Sequence, residues 1–176
     1  MIQKLFPTAA VCIALVGCAS SQRQIGKDAD VAAVRQVVES FRTAILTKDK
    51  ASYMSLFFSS RSEDIAWQAV VDDPLLTKIQ RGRPQAIKAR PRPESNFVAL
   101  IDTVVASPGT EEERISNVSV DTDGEVAAAS FDYAYLSGGK VTNWGKEQWL
   151  LVRTEQGWKI FSVVYTIRGP ETYGGA

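Results

Sequence analysis

Asp73 in the run VVDDP, Asp132 midway along EVAAASFDYAYL, and Glu147 in GKEQWLL are the residues whose type and setting suit proton chemistry. The chain has no histidine, so it lacks both the side chain that titrates nearest neutrality and the commonest metal ligand. Acid–base work therefore falls to carboxylates, which serve near neutral pH only when burial raises their pKa. Asp73 stands directly before a proline and reads also as a turn residue. Asp132 lies mid-strand among apolar neighbours, and if buried it needs a partner such as Arg153. An ion pair that organises the core and a contact to a ligand are both open for it. Asp73 and Asp132 are the catalytic candidates. No residue set suggests a metal site, and no cofactor is expected.

The two cysteines, Cys12 and Cys18, both lie near the amino terminus. Lys4 followed by an apolar stretch from Leu5 to Val16 and then small residues has the grammar of a secretory signal, and is too short for a permanent membrane span. Leu15, Val16, Gly17 and Cys18 resemble the lipobox of bacterial lipoproteins, which implies cleavage before Cys18 and acylation of that residue. Cys12 would leave with residues 1–17, so the mature chain would have no free thiol for disulfides, thiolate catalysis or zinc. The resemblance implies a membrane partner through the lipid. Because Ala19 rather than aspartate follows the cysteine, the resemblance also implies a lipid-anchored protein of the outer membrane facing the periplasm. Residues 18–29 are polar and predict the lipidated cysteine plus a flexible tether. A folded domain is expected over 30–170 and a flexible tail over 171–176.

Elements must hold these groups in place. Hydrophobic residues make up 45% of the chain, enough for one sizeable core, and Lys+Arg and Asp+Glu balance at 20 each, which removes any bulk electrostatic reason to expect nucleic acid. Val31, Val34, Val38, Phe41 and Ile45 recur at helical spacing behind Asp28 or Asp30 as the cap. A short second helix carries Tyr53, Met54 and Phe57 inward, and 64–71 reads as a strand ending at Asp72, Asp73 and Pro74. Between Lys78 and Arg92 the prolines and six basic residues predict loop, with one helical turn at most within 82–90. This run, with Lys78, Arg81, Arg83, Lys88, Arg90 and Arg92, suits either contact with anionic envelope surfaces or plain solvation. Phe97, Leu100, Ile101, Val104 and Val105 favour a helix. Four strand-like segments follow, joined by TDG, SGG and EQG, a meander of antiparallel strands. Helices first and a long sheet afterwards make an α+β domain with the helices on one face.

The run FDYAYLSGGKVTNWGKEQWLLVRTEQGWKIFSVVYT, behind a helix pair and a strand, resembles the nuclear transport factor 2-like superfamily and its SnoaL-like and lumazine-binding subgroup, from Val31 to Arg168. The resemblance implies a cone-shaped, cystatin-like fold with a curved antiparallel sheet. Ketosteroid isomerase, on this fold, combines a carboxylate base with a tyrosine and a protonated aspartate. Asp73 stands at a position that could match the base, but Phe41 and Trp149 fall where the two donors would be. Comparison with the superfamily puts Ala128, Ser130, Asp132 and Ala134 on the concave face, with Tyr53, Trp67, Asp132, Glu147, Trp149 and Tyr165 around a pocket for a small apolar or aromatic ligand. Phe131, Tyr133 and Tyr135 would then form an outward patch, and back-to-back pairing through it predicts a homodimer.

Three functions compete: a non-catalytic small-molecule-binding module, which the sequence favours; an envelope interaction or structural protein; and a carboxylate-dependent isomerase or dehydratase-like enzyme acting through Asp132 or Glu147. The aromatic residues decide among them by leaving the cone open or by filling it.

Overall fold

The computed structural model describes the backbone of residues 16–170 and the side chains of residues 27–170. The segment 1–15 and the tail 171–176 lie outside the described residues, as does the side chain of Cys18.

Helix α1 (Val16–Thr47) is longer than expected. The segment 19–29, expected as a flexible tether, is helical, since it contains no proline and its Ala, Gln, Arg and Lys residues sustain helix. Asp28 and Asp30 consequently lie inside α1 and not at its start, and Asp30 binds Arg153 at 2.9 Å. The apolar stripe is as the spacing predicts, with Val34, Val38, Phe41 and Ile45 all buried. The helix ends at Lys48, which takes a left-handed φ of 56°. Asp49 then caps α2 (Lys50–Ser55), its side chain accepting from the Ser52 N–H at 3.0 Å.

Strand β1 (Ala66–Val71) leads into α3 (Asp73–Gly82). This ten-residue helix takes up 78–82 of the stretch predicted as loop, the remainder of which is irregular. Asp72 supplies the cap at 3.0 Å from the Leu75 N–H and Pro74 fits the first turn, so residues that look like a strand terminator are a helix start. Beyond Gly82 the chain is irregular until α4 (Phe97–Ala106), capped by Asn96.

The four-strand meander follows as β2 (Glu111–Thr122), β3 (Val126–Ser137), β4 (Lys140–Thr154) and β5 (Gly157–Ile167). The sheet order is β1-β5-β4-β3-β2, with β1 parallel to β5 and the remaining pairs antiparallel. Irregularities at Ser116/Ser119, Tyr135/Leu136 and Leu150/Leu151 interrupt the register, and such bulges bend strands and increase their twist. Gly145 is required where β4 meets β5: a Cβ there would lie 2.0 Å from the Thr166 carbonyl oxygen.

The pleat of β3 is inverted relative to the expectation. Ala127, Ala129, Phe131 and Tyr133 are buried towards the helices, whereas Ala128, Ser130, Asp132 and Ala134 take the other face. Alternation was read correctly, but its phase was not, and a strand offers no internal clue to phase when one set is small and the other aromatic. The homodimer surface of Phe131, Tyr133 and Tyr135 is overturned by this, because those rings lie on the inner face, with Phe131 fully buried.

The core between helices and sheet is aromatic. Phe41 meets Tyr53 at 5.0 Å and Trp149 at 4.9 Å, Phe131 meets Trp149 at 4.9 Å, and Phe57 stacks on Phe97 at 4.2 Å. These rings bury large areas in offset or edge-on contacts and close the narrow end of the cone.

Candidate functional site: a carboxylate-lined chamber in the cone

Alternation along β2 turns Glu111 and Glu113 to the inner face and leaves Glu112 and Arg114 outside as a surface ion pair at 2.9 Å. On β4 the same rule brings Glu147 and Trp149 inward together. The result is a chamber of about 670 Å³ between α4, β1 and the sheet, bordered by the carboxyl groups of Glu111, Glu113 and Glu147 and by Trp67, Tyr133, Tyr135 and Tyr165. That volume suits a small organic molecule.

The three carboxyl groups differ in environment. Glu111 sits near the end of β2, where the Ser107 and Ser137 hydroxyls donate to it at 2.6 and 2.8 Å. Burial acts to raise its pKa, but those hydroxyls, the Tyr135 phenol and the Lys48 charge outweigh it and hold Glu111 below the usual carboxylate range. Glu147 is buried, and its pKa is pushed up to about 7 by desolvation, opposed by the indole N–H of Trp149, which donates to it at 2.6 Å. Glu113 is only 3% exposed, and one of its carboxyl oxygens has no hydrogen-bond partner. Desolvation first, and the Glu147 charge second, raise it well above the ordinary range. Tyr53 is buried beside this pair with its hydroxyl unpartnered, and burial together with the charges of Glu113 and Glu147 raises its pKa strongly.

Glu113 and Glu147 thus interact within one low-dielectric space, where two negative charges repel. Glu147, with its indole donor, ionises first, at about pH 7. Glu113, desolvated and with one oxygen unpartnered, keeps its proton as Glu147 loses its own. An unpartnered buried carboxyl oxygen costs free energy that a ligand's hydrogen bond recovers.

The residues expected around the pocket divide. Glu147, Trp67 and Tyr165 line the chamber, the two rings packing edge-on at 5.7 Å. Tyr53 and Trp149 belong to the aromatic core behind it. Asp132 is a correction: it lies on the outer face, bound to Asn117 at 2.7 Å and Lys146 at 2.9 Å, and these partners lower its pKa. Its anticipated partner Arg153 is engaged by Asp30 instead. Asp73 is also corrected, since it stands exposed in the first turn of α3 and pairs with Lys88 at 2.6 Å, outside the chamber lining. Glu111 and Glu113 were missed because TEEER reads as a solvated charge run. The signal that could have found them is strand periodicity, which sends alternate members of such a run inward. Among the described residues no cluster of metal-ligating side chains is present, and no helix is long and apolar enough to cross a membrane.

This geometry defines a cystatin-like, nuclear transport factor 2-like α+β fold with an acidic chamber in its cone. The chain is similar to an NTF2-like protein with a cystatin-like fold from Novosphingobium aromaticivorans (16% identity over 93% of this chain and 94% of that one, TM-score 0.55). It is also similar to an NTF2-like protein of unknown function from Pseudomonas putida KT2440 (12%, 85% and 94%, 0.56) and to a candidate scytalone dehydratase from Novosphingobium aromaticivorans DSM 12444 (10%, 87% and 99%, 0.58). At these identities the likeness concerns the fold. No family model matches the chain, and no curated protein matches it in sequence.

The raised Glu147 pKa sets a sign for stability. Between the ordinary carboxylate range and about pH 7, the folded state holds a proton that the unfolded state has released, so stability falls as pH rises through that window. Thermal unfolding followed from about pH 5 to about pH 8 is expected to give a declining Tm. Glu147→Gln, which keeps an oxygen for the Trp149 N–H, is expected to make that slope shallower, and Glu113, raised by its own desolvation, accounts for the decline that is left.

Proposed function

We propose that the chain catalyses proton transfer on a small, largely apolar substrate, in the manner of an isomerase or a dehydratase. The observation that carries this reading is the pair of buried, interacting carboxyl groups at one chamber wall, one poised to titrate at about pH 7 and the other held neutral with an unpartnered oxygen. Aromatic side chains that only filled a cone would not need them, and burying two carboxyl groups for packing alone is costly. The similarity of the fold to that of a candidate scytalone dehydratase is consistent with this chemistry and does not by itself supply it.

In this reading Glu147 is the general base. Its carboxylate takes a proton from a carbon next to a carbonyl, and the C–H electron pair moves into the new C=C bond as the carbonyl oxygen gains charge. Glu113, as a neutral acid, donates its proton to that oxygen, or to a departing hydroxyl, which leaves as water while the C–O bond breaks. Dehydration ends with Glu147 protonated and Glu113 ionised, and proton exchange restores the pair; in an isomerisation Glu147 gives its proton to another carbon of the enol while the enol O–H returns its proton to Glu113. A neutral carboxyl in an apolar site is a strong donor to developing negative charge. Asp73 and Asp132, being outside the chamber lining, take no part.

A panel of aryl ketones in D₂O, followed by NMR for exchange of the hydrogen next to the carbonyl, tests the assignment. Exchange catalysed by the protein is expected to rise with an apparent pKa of about 7. Glu147→Gln is expected to lower it by about a hundredfold or more, and Glu113→Gln to lower it while retaining the pH dependence of the base. Exchange unchanged by Glu147→Gln would contradict the assignment.

We further propose, from the Leu15-Val16-Gly17-Cys18 run, that Cys18 carries the lipid that holds this domain at the membrane. Several acyl chains on one residue suffice for stable anchoring. Cys18→Ala is expected to move the protein from the membrane to the soluble fraction on fractionation, and an unchanged distribution would remove the anchor.

A further inference from the structure

A second, smaller cavity of about 190 Å³ lies beside the acidic chamber and is walled by the same Trp67, Tyr165 and Ile167. Its lining is of opposite character. Arg83, Lys88, Arg90 and Arg92 contribute to it, and no carboxylate does. The loop that carries them is fixed to the edge of the sheet: the Val71 N–H donates to the Lys88 carbonyl at 2.9 Å, and the Gln68 amide donates to the Arg90 carbonyl at 3.2 Å. Lys88, Arg90 and Arg92 all line this cleft although the segment that carries them is irregular. Lys88 is shared with Asp73, whereas Arg90 and Arg92 take part in none of the ion pairs formed among the described residues.

We propose that this basic cleft is the anion subsite of the same pocket, and that the substrate is a small organic acid. Its carboxylate would rest on Arg90 and Arg92, and its apolar body would pass the Trp67–Tyr165 pair into the chamber. Two features favour that division. The cleft is too small for a whole substrate but large enough for a carboxylate head group. The chamber, with Glu111 ionised and Glu147 titrating, repels an anion, so a negative group has only the basic side to occupy. The basic run that reads as a solvated loop in the sequence is thereby a recognition element, with arginine suited to fork-like contact with a carboxylate.

This inference rests on the proton-transfer reading for the word substrate, and the binding test separates the two. Naphthoate and its neutral isostere naphthamide are titrated into the full chain by calorimetry. Naphthoate is expected to bind roughly tenfold more tightly or better, with the preference shrinking as salt rises. The double variant Arg90→Gln, Arg92→Gln is expected to abolish the preference and leave naphthamide binding in place, and Arg92→Gln alone to reduce it. Glu147→Gln is expected to keep the preference intact. Equal binding of acid and amide, failure of both to bind, or a preference that survives the double variant would each overturn the anion subsite. A preserved preference together with ketone exchange unaffected by Glu147→Gln would leave the subsite standing and remove the proton-transfer reading.

Discussion

The hydrogen bond from the Trp149 indole to Glu147 is the interaction on which the rest depends. It joins the two halves of the cone, because the ring belongs to the aromatic core with Phe41 and Phe131 while its N–H reaches the chamber. A buried indole needs an acceptor and a buried carboxylate needs a donor, and each meets the requirement of the other. The residue order Glu-Gln-Trp on one strand makes the arrangement possible, since side chains two apart share a face. With Glu147 held in this way its negative charge becomes tolerable in the interior, and that charge adds to desolvation, the larger cause, in keeping the proton on Glu113. One contact therefore helps set the two carboxyl groups apart.

The remaining elements follow from the need to surround that pair. Helix α1 adds Val34, Val38, Phe41 and Ile45 to the core behind the chamber, and α4 and β1 supply residues to the chamber's lining. The strand irregularities interrupt the register, and bulges of this kind give a sheet the bend it needs to wrap. The acidic chamber and the basic cleft lie on either side of Trp67 and Tyr165, so acidic and basic side chains are segregated around that pair. Overall neutrality, with equal numbers of acidic and basic residues, conceals this separation.

Most of the fold was legible in the sequence. The periodicity of Val34, Val38, Phe41 and Ile45, the helix over Phe97–Ala106 and the glycine-bearing turns of the meander all express local rules that tertiary packing did not override. The errors arose where two local readings share the same residues. Asp72, Asp73 and Pro74 end a strand and also begin α3, and only the hydrogen bond to Leu75 decides between these. The candidate site was legible in part. Glu147, Trp67 and Tyr165 were identified, but the phase of β3 was not, because an aromatic face and a small-residue face alternate equally well. That single inversion moved Asp132 outward and Tyr133 and Tyr135 inward. Glu113 was hidden for a different reason: a buried acid inside a charge run gives no compositional signal, and its burial depends on a cone that other elements build.

The central claim is that Glu147 and Glu113 share one proton near neutral pH, with the charge on Glu147. Titration of the chain with ¹³C-labelled glutamate carboxyl groups, each assigned by its glutamine variant, measures this directly. The account predicts that the Glu147 resonance moves with a midpoint of about pH 7 while Glu113 stays in its neutral position throughout that step. Midpoints for both carboxyl groups in the ordinary range near pH 4.5 would contradict it.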